Sequence, residues 1–533
     1  MLALAFGLAP PAAPQTASSS EPSPRLPGEP QVRLPGESQV RLPALGESAS
    51  DEFNLSTEKR LGEQIMREIR RDPDYLEDPV LLEYLQSLWQ PLVAAARQRG
   101  DIGTDINGLF PFESFLVRDR NVNAFALPGG YVGVNLGLIA MTVSRDELAS
   151  VLAHELSHVT QRHIARSITA NARSSAVSLA AMLLGVLAAA KSSNPDMAQA
   201  AIATGQAAAA QAQLNFSRDM EREADRNGLG LMSVAGFAPA GMAAMFEKLD
   251  QSVRLNDNGG FPYLRSHPLT TDRIGEARQR IDSLGPAPPS TVSPLWHALM
   301  QARARVLMDP STQSLRRFQD VELRGPAAVR ERLAALYLRA FASVQLRDFA
   351  LADQALAAGE ALLPDATARR AWAQLQLETA LTRGDAARAA AAMERWAEDG
   401  SRSQLLLRAR LVLLQNDADA LKRSTEQLQT WVAEHRDDAL AWQALASNTE
   451  RQGQTLRSVR AQAEAQAAIG NLPGAIDRLR AGQQIARRGG PGTDFIEASV
   501  IDSRLRDLTA QRRQLMAEQR GGSQQRREPD QLE

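Results

Sequence analysis

Residues 144–158 read Ser-Arg-Asp-Glu-Leu-Ala-Ser-Val-Leu-Ala-His-Glu-Leu-Ser-His. Ser144 and Glu147 fit a capping box, in which a hydroxyl and a carboxylate three residues later satisfy the free backbone donors of a helix start. Leu148, Val151 and Leu152 then turn an apolar face inward, which predicts a helix carrying His154 and His158. The H-E-x-x-H spacing has a mechanical reason: residues i and i+4 share one helix face, so both imidazoles reach a single ion, while Glu155 sits beside the water to be activated. By itself the pattern also fits an ordinary amphipathic surface helix. A catalytic zinc needs a third protein ligand and one open position. Glu221-Arg222-Glu223-Ala224-Asp225 supplies the ligand, on a helix expected from about residue 218 to 234 with Gly236 closing it. If Glu221 binds the ion, Asp225, four residues on, shares its face and can orient a ligand histidine through its second ring nitrogen. Glu223 should point elsewhere.

Outward from this centre, 533 residues exceed what one hydrophobic core fills, so two folded domains are expected. The 60 basic and 62 acidic residues leave a net charge of −2, with no broad electrostatic footprint for nucleic acid. There is no cysteine, so His and carboxylates must hold any metal, and the chain tolerates an oxidising compartment. Residues 1–17 carry a short apolar run that reaches small residues, the pattern of a secretory signal, although no Lys or Arg precedes Arg25. Residues 18–50 are rich in Pro, Ser, Gly and Glu and repeat Arg-Leu-Pro-Gly. They bury too little apolar surface to offset ordering entropy and read as a disordered linker. The only other notable apolar stretch, Ala176 to Ala190, falls short of the roughly 20 residues that span a bilayer.

The domain around the motif is expected over residues 51–284. Leu61, Ile65, Met66 and Ile69 recur at helical spacing, and Asp78-Pro79 caps and opens a second helix. Short β-rich runs between Phe115 and Leu138, broken by Pro128-Gly129-Gly130, signal a hairpin. An alanine-rich helical stretch is expected from about Ile168 to Leu214. Gly285-Pro286-Ala287-Pro288-Pro289 marks a break. Beyond it, residues 295–515 read as helical pairs whose turns, at Arg347-Asp348, Gly384-Asp385, Asn416-Asp417 and Gln452-Gly453, step by 37, 32 and 36 residues. That is near the tetratricopeptide period of about 34, with a generic alanine-rich bundle as the plainer alternative. Residues 516–533 form a polar tail. The expected fold is mainly α (α+β): a metallopeptidase-type domain with a small β-hairpin sheet, then an α-solenoid of tetratricopeptide-like pairs.

The arrangement resembles the Ste-type and HtpX-type gluzincin peptidases, whose pattern is H-E-x-x-H followed by E-x-x-A-D. Both elements stand here without substitution, and Asn123 to Gly130, Ser266-His267-Pro268 and Arg273-Ile274 are similar to segments flanking that family's active helix. On the residues' own chemistry, His154, His158 and Glu221 hold one Zn(2+) per chain, and Glu155 removes a proton from water and delivers it to the leaving amine. The strand Tyr131, Val132, Gly133, Val134 and Asn135 offers a sheet edge to an extended substrate. The resemblance adds that His267 occupies the metal's fourth position and holds the enzyme latent. Donation to the oxyanion, or simple packing before Pro268, are the alternatives. His163 falls off the metal-facing stripe, and with His297 and His435 it reads as structural or exposed.

The resemblance further implies a periplasmic protein acting on misfolded or stalled outer-membrane proteins, with the repeats contacting the barrel-assembly machinery, a chaperone-like role, and membrane contact at most peripheral. Two rivals stand beside it: a repeat-type binding scaffold with a vestigial metal site, and a membrane-embedded peptidase in which Ala176 to Ala190 inserts.

Overall fold

In the computed structural model, which describes residues 53–170, 217–255, 262–284, 293–321, 328–489 and 494–524, helix α1 (Leu55–Ile69) buries the stripe of Leu61, Ile65, Met66 and Ile69. Asp78 opens α2 (Pro79–Arg99), after the two-residue strand β1 (Tyr75–Leu76), by accepting from the Leu81 amide at 2.8 Å. Pro79 takes a first-turn position whose amide would have had no helical partner. The short α3 (Thr104–Asn107) leads to β2 (Glu113–Val117), β3 (Ala124–Leu127) and β4 (Tyr131–Asn135).

The four strands lie in the order β1-β2-β4-β3. β3 and β4 form the expected hairpin across Pro128-Gly129-Gly130, where φ is +77° at Gly129 and +94° at Gly130, a region open to glycine. β4 also pairs in parallel with β2, from Glu113 opposite Tyr131 to Val117 opposite Asn135. This corrects the expectation that residues 131–135 form a substrate-binding edge: with β2 on one side and β3 on the other, β4 has no edge to offer. Among the described residues β3 is the edge strand on that side.

Then follow α4 (Leu136–Met141), α5 (Arg145–Thr160), α6 (His163–Ala170), α7 (Arg218–Val234), α8 (Ala240–Leu255), α9 (Pro262–Ser266) and α10 (Thr271–Leu284). Ser144 caps α5 by accepting from the Glu147 amide, while the Glu147 carboxylate reaches back to the Val143 amide at 2.8 Å. Every residue of α5 from Glu147 to Thr160 is buried. A helix covered all round tolerates His and Glu only where they find partners. α7 packs closely on α5 because Gly228 faces it: a Cβ there would stand 3.3 Å from the backbone of Ala153 and His154.

The C-terminal half comprises α11 (Pro294–Met308), α12 (Thr312–Gln319), α13 (Val329–Gln345), α14 (Phe349–Glu360), α15 (Ala366–Arg383), α16 (Ala386–Arg395), α17 (Arg402–Leu414), α18 (Ala418–Glu434), α19 (Ala439–Arg451), α20 (Thr455–Ala468), α21 (Leu472–Arg488) and α22 (Phe495–Gln524). The turns read from sequence separate α13 from α14, α15 from α16, α17 from α18 and α19 from α20, with Asp348, Asp385 and Asp417 capping the second helix of three pairs. The chain therefore has the expected architecture, mainly α with a small hairpin-bearing sheet followed by helical pairs. α22 continues through Gln524, into the segment expected as a polar tail.

The apolar core does not stop at residue 284. Leu295, Leu299 and Met300 of α11 and Leu333, Tyr337 and Trp372 of later helices belong to the same buried cluster as Trp89, Leu138 and Leu152. α2 is the hub of this continuity. Buried Arg303 binds Asp78 at 2.7 and 2.8 Å and Glu378 at 2.7 Å twice, while Glu83 meets Arg370 and Ser403. His297 is structural, lodged between the Tyr84 hydroxyl at 2.5 Å and the Thr142 carbonyl at 2.9 Å. His435 is exposed and stacks on Trp431. The leader, the Pro-rich linker and the stretch Ala176 to Ala190 lie outside the described residues, among which no helix is long and apolar enough to cross a membrane.

Candidate metal centre

His154 and His158 project from one face of α5 with their Nε2 atoms 3.0 Å apart. Glu221, in the first turn of α7, sets Oε2 3.5 Å from His154 Nε2 and Oε1 3.5 Å from His158 Nε2. His267, just past α9, brings Nδ1 to 3.0 Å from Glu221 Oε1 and 3.3 Å from His154 Nε2. All four side chains are buried, and one donor atom of each lies within 4.8 Å of the others. Tetrahedral donors bonded to zinc at about 2.0–2.1 Å would stand about 3.3 Å apart. The separations of 3.0 to 3.5 Å bracket that value.

The outer ring nitrogens complete the test of fit. His154 Nδ1 faces Asp225 Oδ1 at 2.9 Å, and His158 Nδ1 faces His163 Nδ1 at 2.8 Å. Both rings are thus tied back through Nδ1 and turn their Nε2 lone pairs toward one point. Lone pairs and a carboxylate converging in a buried space repel one another unless a cation lies between them. Two imidazoles and a carboxylate, with no thiolate in the chain, are a donor set that suits zinc.

The electrostatics point the same way. Burial pushes the His154 imidazole down, but hydrogen bonds to Asp225 and Glu221 outweigh it and raise its pKa to about 10. His158 is held well below its ordinary value, by burial and then by the charge of His154. Burial favours the neutral form of Glu221, yet His267 and His154 keep it well below the usual carboxylate range. Glu221 and Asp225 are thus kept ionised in a buried site, and His158 is kept neutral, the form in which an imidazole offers a lone pair to a metal. Glu155 differs. It is fully buried, its pKa is raised chiefly by that burial, and among the described residues neither of its oxygens has a donor in sound hydrogen-bond geometry. Its neighbours are the backbone of Ala126 on edge strand β3 and His267 Nε2, 3.5 Å from Oε1.

The structure therefore brings together His154, His158, Glu221 and His267, with Glu155 beside them and Asp225 behind His154, while Tyr131 to Asn135 sit inside the sheet. Two residues to which sequence reasoning assigned no part in the site adjoin it. Arg273 of α10 grips Asp225 at 2.7 and 2.8 Å, comes within 2.8 Å of Glu221 Oε2 and donates to the Pro268 carbonyl at 2.8 Å, so it ties the His267 segment to the ligand helix. His163, expected off the metal-facing stripe, is wholly buried against His158. The stripe presumes one continuous helix, but α5 stops at Thr160 and Arg162 takes a left-handed φ of 51°. The chain thereby swings His163 back toward His158. No glycine or proline announces that turn; Arg162 is held there by Glu58 at 3.0 Å.

A buried H-E-x-x-H helix joined by a glutamate from a second helix defines the class: a zinc metallopeptidase, with a cluster of histidines and a carboxylate that fits one ion. A family profile, Peptidase family M48, matches residues 84–281. The chain is 30% identical over 468 residues to a beta-barrel assembly-enhancing protease of Yersinia pestis and 29% identical over 472 residues to that of Escherichia coli K12. In both cases 87% of this chain and 90% of the relative are covered. A Vibrio cholerae protein described in similar terms is 38% identical over 263 residues, spanning 49% of this chain and 51% of its own. The chain belongs to peptidase family M48.

Proposed function

We propose that the chain is a zinc endopeptidase acting in the periplasm on misassembled or stalled outer-membrane β-barrel proteins, with His154, His158 and Glu221 as metal ligands. Asp225 orients His154 and Glu155 is the general base. One observation carries this: two imidazoles from one helix and a carboxylate from another converge at ligand separations, beside the fully buried carboxylate of Glu155.

Zinc, when bound, polarises the scissile carbonyl and lowers the pKa of the attacking water. Glu155 takes the water's proton and passes it to the leaving amine, a role for which a carboxyl of raised pKa is suited. Edge strand β3, whose Ala126 adjoins Glu155, holds the substrate as an added strand. Main-chain pairing of this kind is tolerant of sequence. His267 Nδ1, at the fourth corner of the ligand set, holds the resting enzyme latent and must withdraw before a substrate is cut. The relatives' description as beta-barrel assembly-enhancing proteases supports this substrate class and a chaperone-like role, and stacked helical pairs are the kind of surface that contacts a partner such as the assembly machinery. A scaffold with a vestigial site would have no use for the buried Glu155.

The test pairs two variants against casein. Glu155→Gln should retain one zinc per chain yet lose about 100- to 10,000-fold in cleavage rate, whereas His154→Ala should lose both metal and cleavage. Undiminished proteolysis in Glu155→Gln removes Glu155 as the base. Full zinc content in His154→Ala removes the ligand set.

A further inference from the structure

His163 lies outside the ligand set, yet it is wholly buried, with Nδ1 2.8 Å from His158 Nδ1. Its Nε2 is 3.2 Å from Glu223 Oε2, and the same oxygen accepts from Arg166 Nη1 at 2.9 Å. When His158 gives its Nε2 lone pair to an ion, the protons have one consistent arrangement. A neutral His158 carries its hydrogen on Nδ1 and donates it to His163 Nδ1, which must be bare. His163 then carries its own hydrogen on Nε2 and donates it to the ionised Glu223. Reversing the tautomer of either ring breaks a link.

The geometry points to His163 as a positioning residue of the metal centre: through the chain Glu223–His163–His158 it holds His158 in the tautomer and orientation that a metal ligand needs. This rests on the proposed ligand role of His158. Glu221, Glu223 and Asp225 of α7 then have separate tasks. Glu221 contacts the ion directly, and Asp225, four residues on, backs His154 at 2.9 Å. Glu223, two residues from each, cannot share their helix face, and the imidazole of His163 spans the gap to His158. Both ligand rings are thereby anchored to the helix that supplies the third ligand.

The test measures zinc affinity of the full chain by chelator competition, together with the visible spectrum of the cobalt-substituted protein. His163→Leu should weaken zinc binding about 10- to 100-fold, the usual effect of removing such a partner, and shift the cobalt bands. His163→Gln keeps an acceptor and a donor at similar reach and should restore affinity to within a few fold, which a role in packing alone would not predict. Glu223→Leu, at a side chain 28% exposed and outside the core, should weaken binding in the same direction. It carries the test if His163→Leu fails to fold. Wild-type affinity and an unchanged cobalt spectrum in Glu223→Leu or His163→Leu, or no recovery in His163→Gln, overturn the role of His163 while tight wild-type binding leaves the metal centre standing. Zinc bound to His158→Ala as tightly as to wild type instead removes the metal centre, and the role of His163 with it.

Discussion

The Nδ1 atoms of His154 and His158 have separate partners, Asp225 and His163, so changes behind the two rings should have separable effects. Asp225 accepts from His154 Nδ1 while holding Arg273 by two bonds, and burial, which favours its neutral form, is outweighed by Arg273 and His154. Asp225→Asn should therefore weaken zinc binding about 10- to 100-fold, read by chelator competition, with Glu155 undisturbed. His267 acts in the opposite sense. If its Nδ1 closes the ligand set at rest, His267→Ala should raise the cleavage of casein. Activity that is unchanged or lower in that variant removes the latency role.

Between elements, distance is set by a few contacts. α7 approaches α5 at Gly228, where even a Cβ meets backbone at 3.3 Å. Gly228→Val should overpack this crossing at a cost of about 1–3 kcal/mol and carry Glu221 away from the imidazoles, so zinc affinity and thermal stability should fall together. Wild-type zinc affinity in that variant would show that the crossing does not set the site. In the helical pairs, Asp438 caps α19, accepts from the Trp431 indole and pairs with Arg402 at 2.7 Å twice. Burial pushes its carboxyl up, but Arg402 more than reverses this and holds it below its ordinary value of 3.8. A depressed folded pKa contributes stability that is full above the unfolded value and lost as pH falls through the folded one. Asp438→Asn should accordingly lower the melting temperature near neutral pH and narrow the gap to wild type below about pH 4. An unchanged gap between pH 7 and pH 3 would contradict that account.

Across the whole molecule, the peptidase half shares one core with the first helical pairs, as far as α15, stitched at α2, while the later helices have apolar clusters of their own. Arg303 is fully buried between Asp78, which caps α2, and Glu378 of α15, with the Phe341 ring 4.5 Å away. Arg303→Ala strands the buried carboxylate of Asp78 and the half-buried one of Glu378 and should cost about 3–5 kcal/mol. Because this residue joins the two halves, the variant should melt in two steps, seen by calorimetry, where the wild type melts in one. Zinc affinity should hold through the first step if the helical pairs leave first. A single transition with unchanged midpoint would mean that the shared apolar surface alone couples the halves.

What could be read from the chain without coordinates was whatever local spacing dictates. The cap at Ser144, the i, i+4 histidines, the second helix with Glu221 and Asp225, the hairpin at Pro128-Gly129-Gly130 and the turns of the helical pairs each depend on neighbours within a few residues, where backbone geometry leaves little choice. Three features depended on the tertiary structure. β4 lies inside the sheet because β2, which precedes β3 in the chain, crosses over to pair with it in parallel, and no alternation of side chains reveals which strand becomes the edge. His163 joins the site because Glu58, more than a hundred residues earlier, holds Arg162 in a left-handed turn. The two halves share a core because Arg303 and α2 find each other across 225 positions. In each case the deciding partner lies beyond the few neighbours whose spacing the chain displays, so its effect exists only after packing has brought it near.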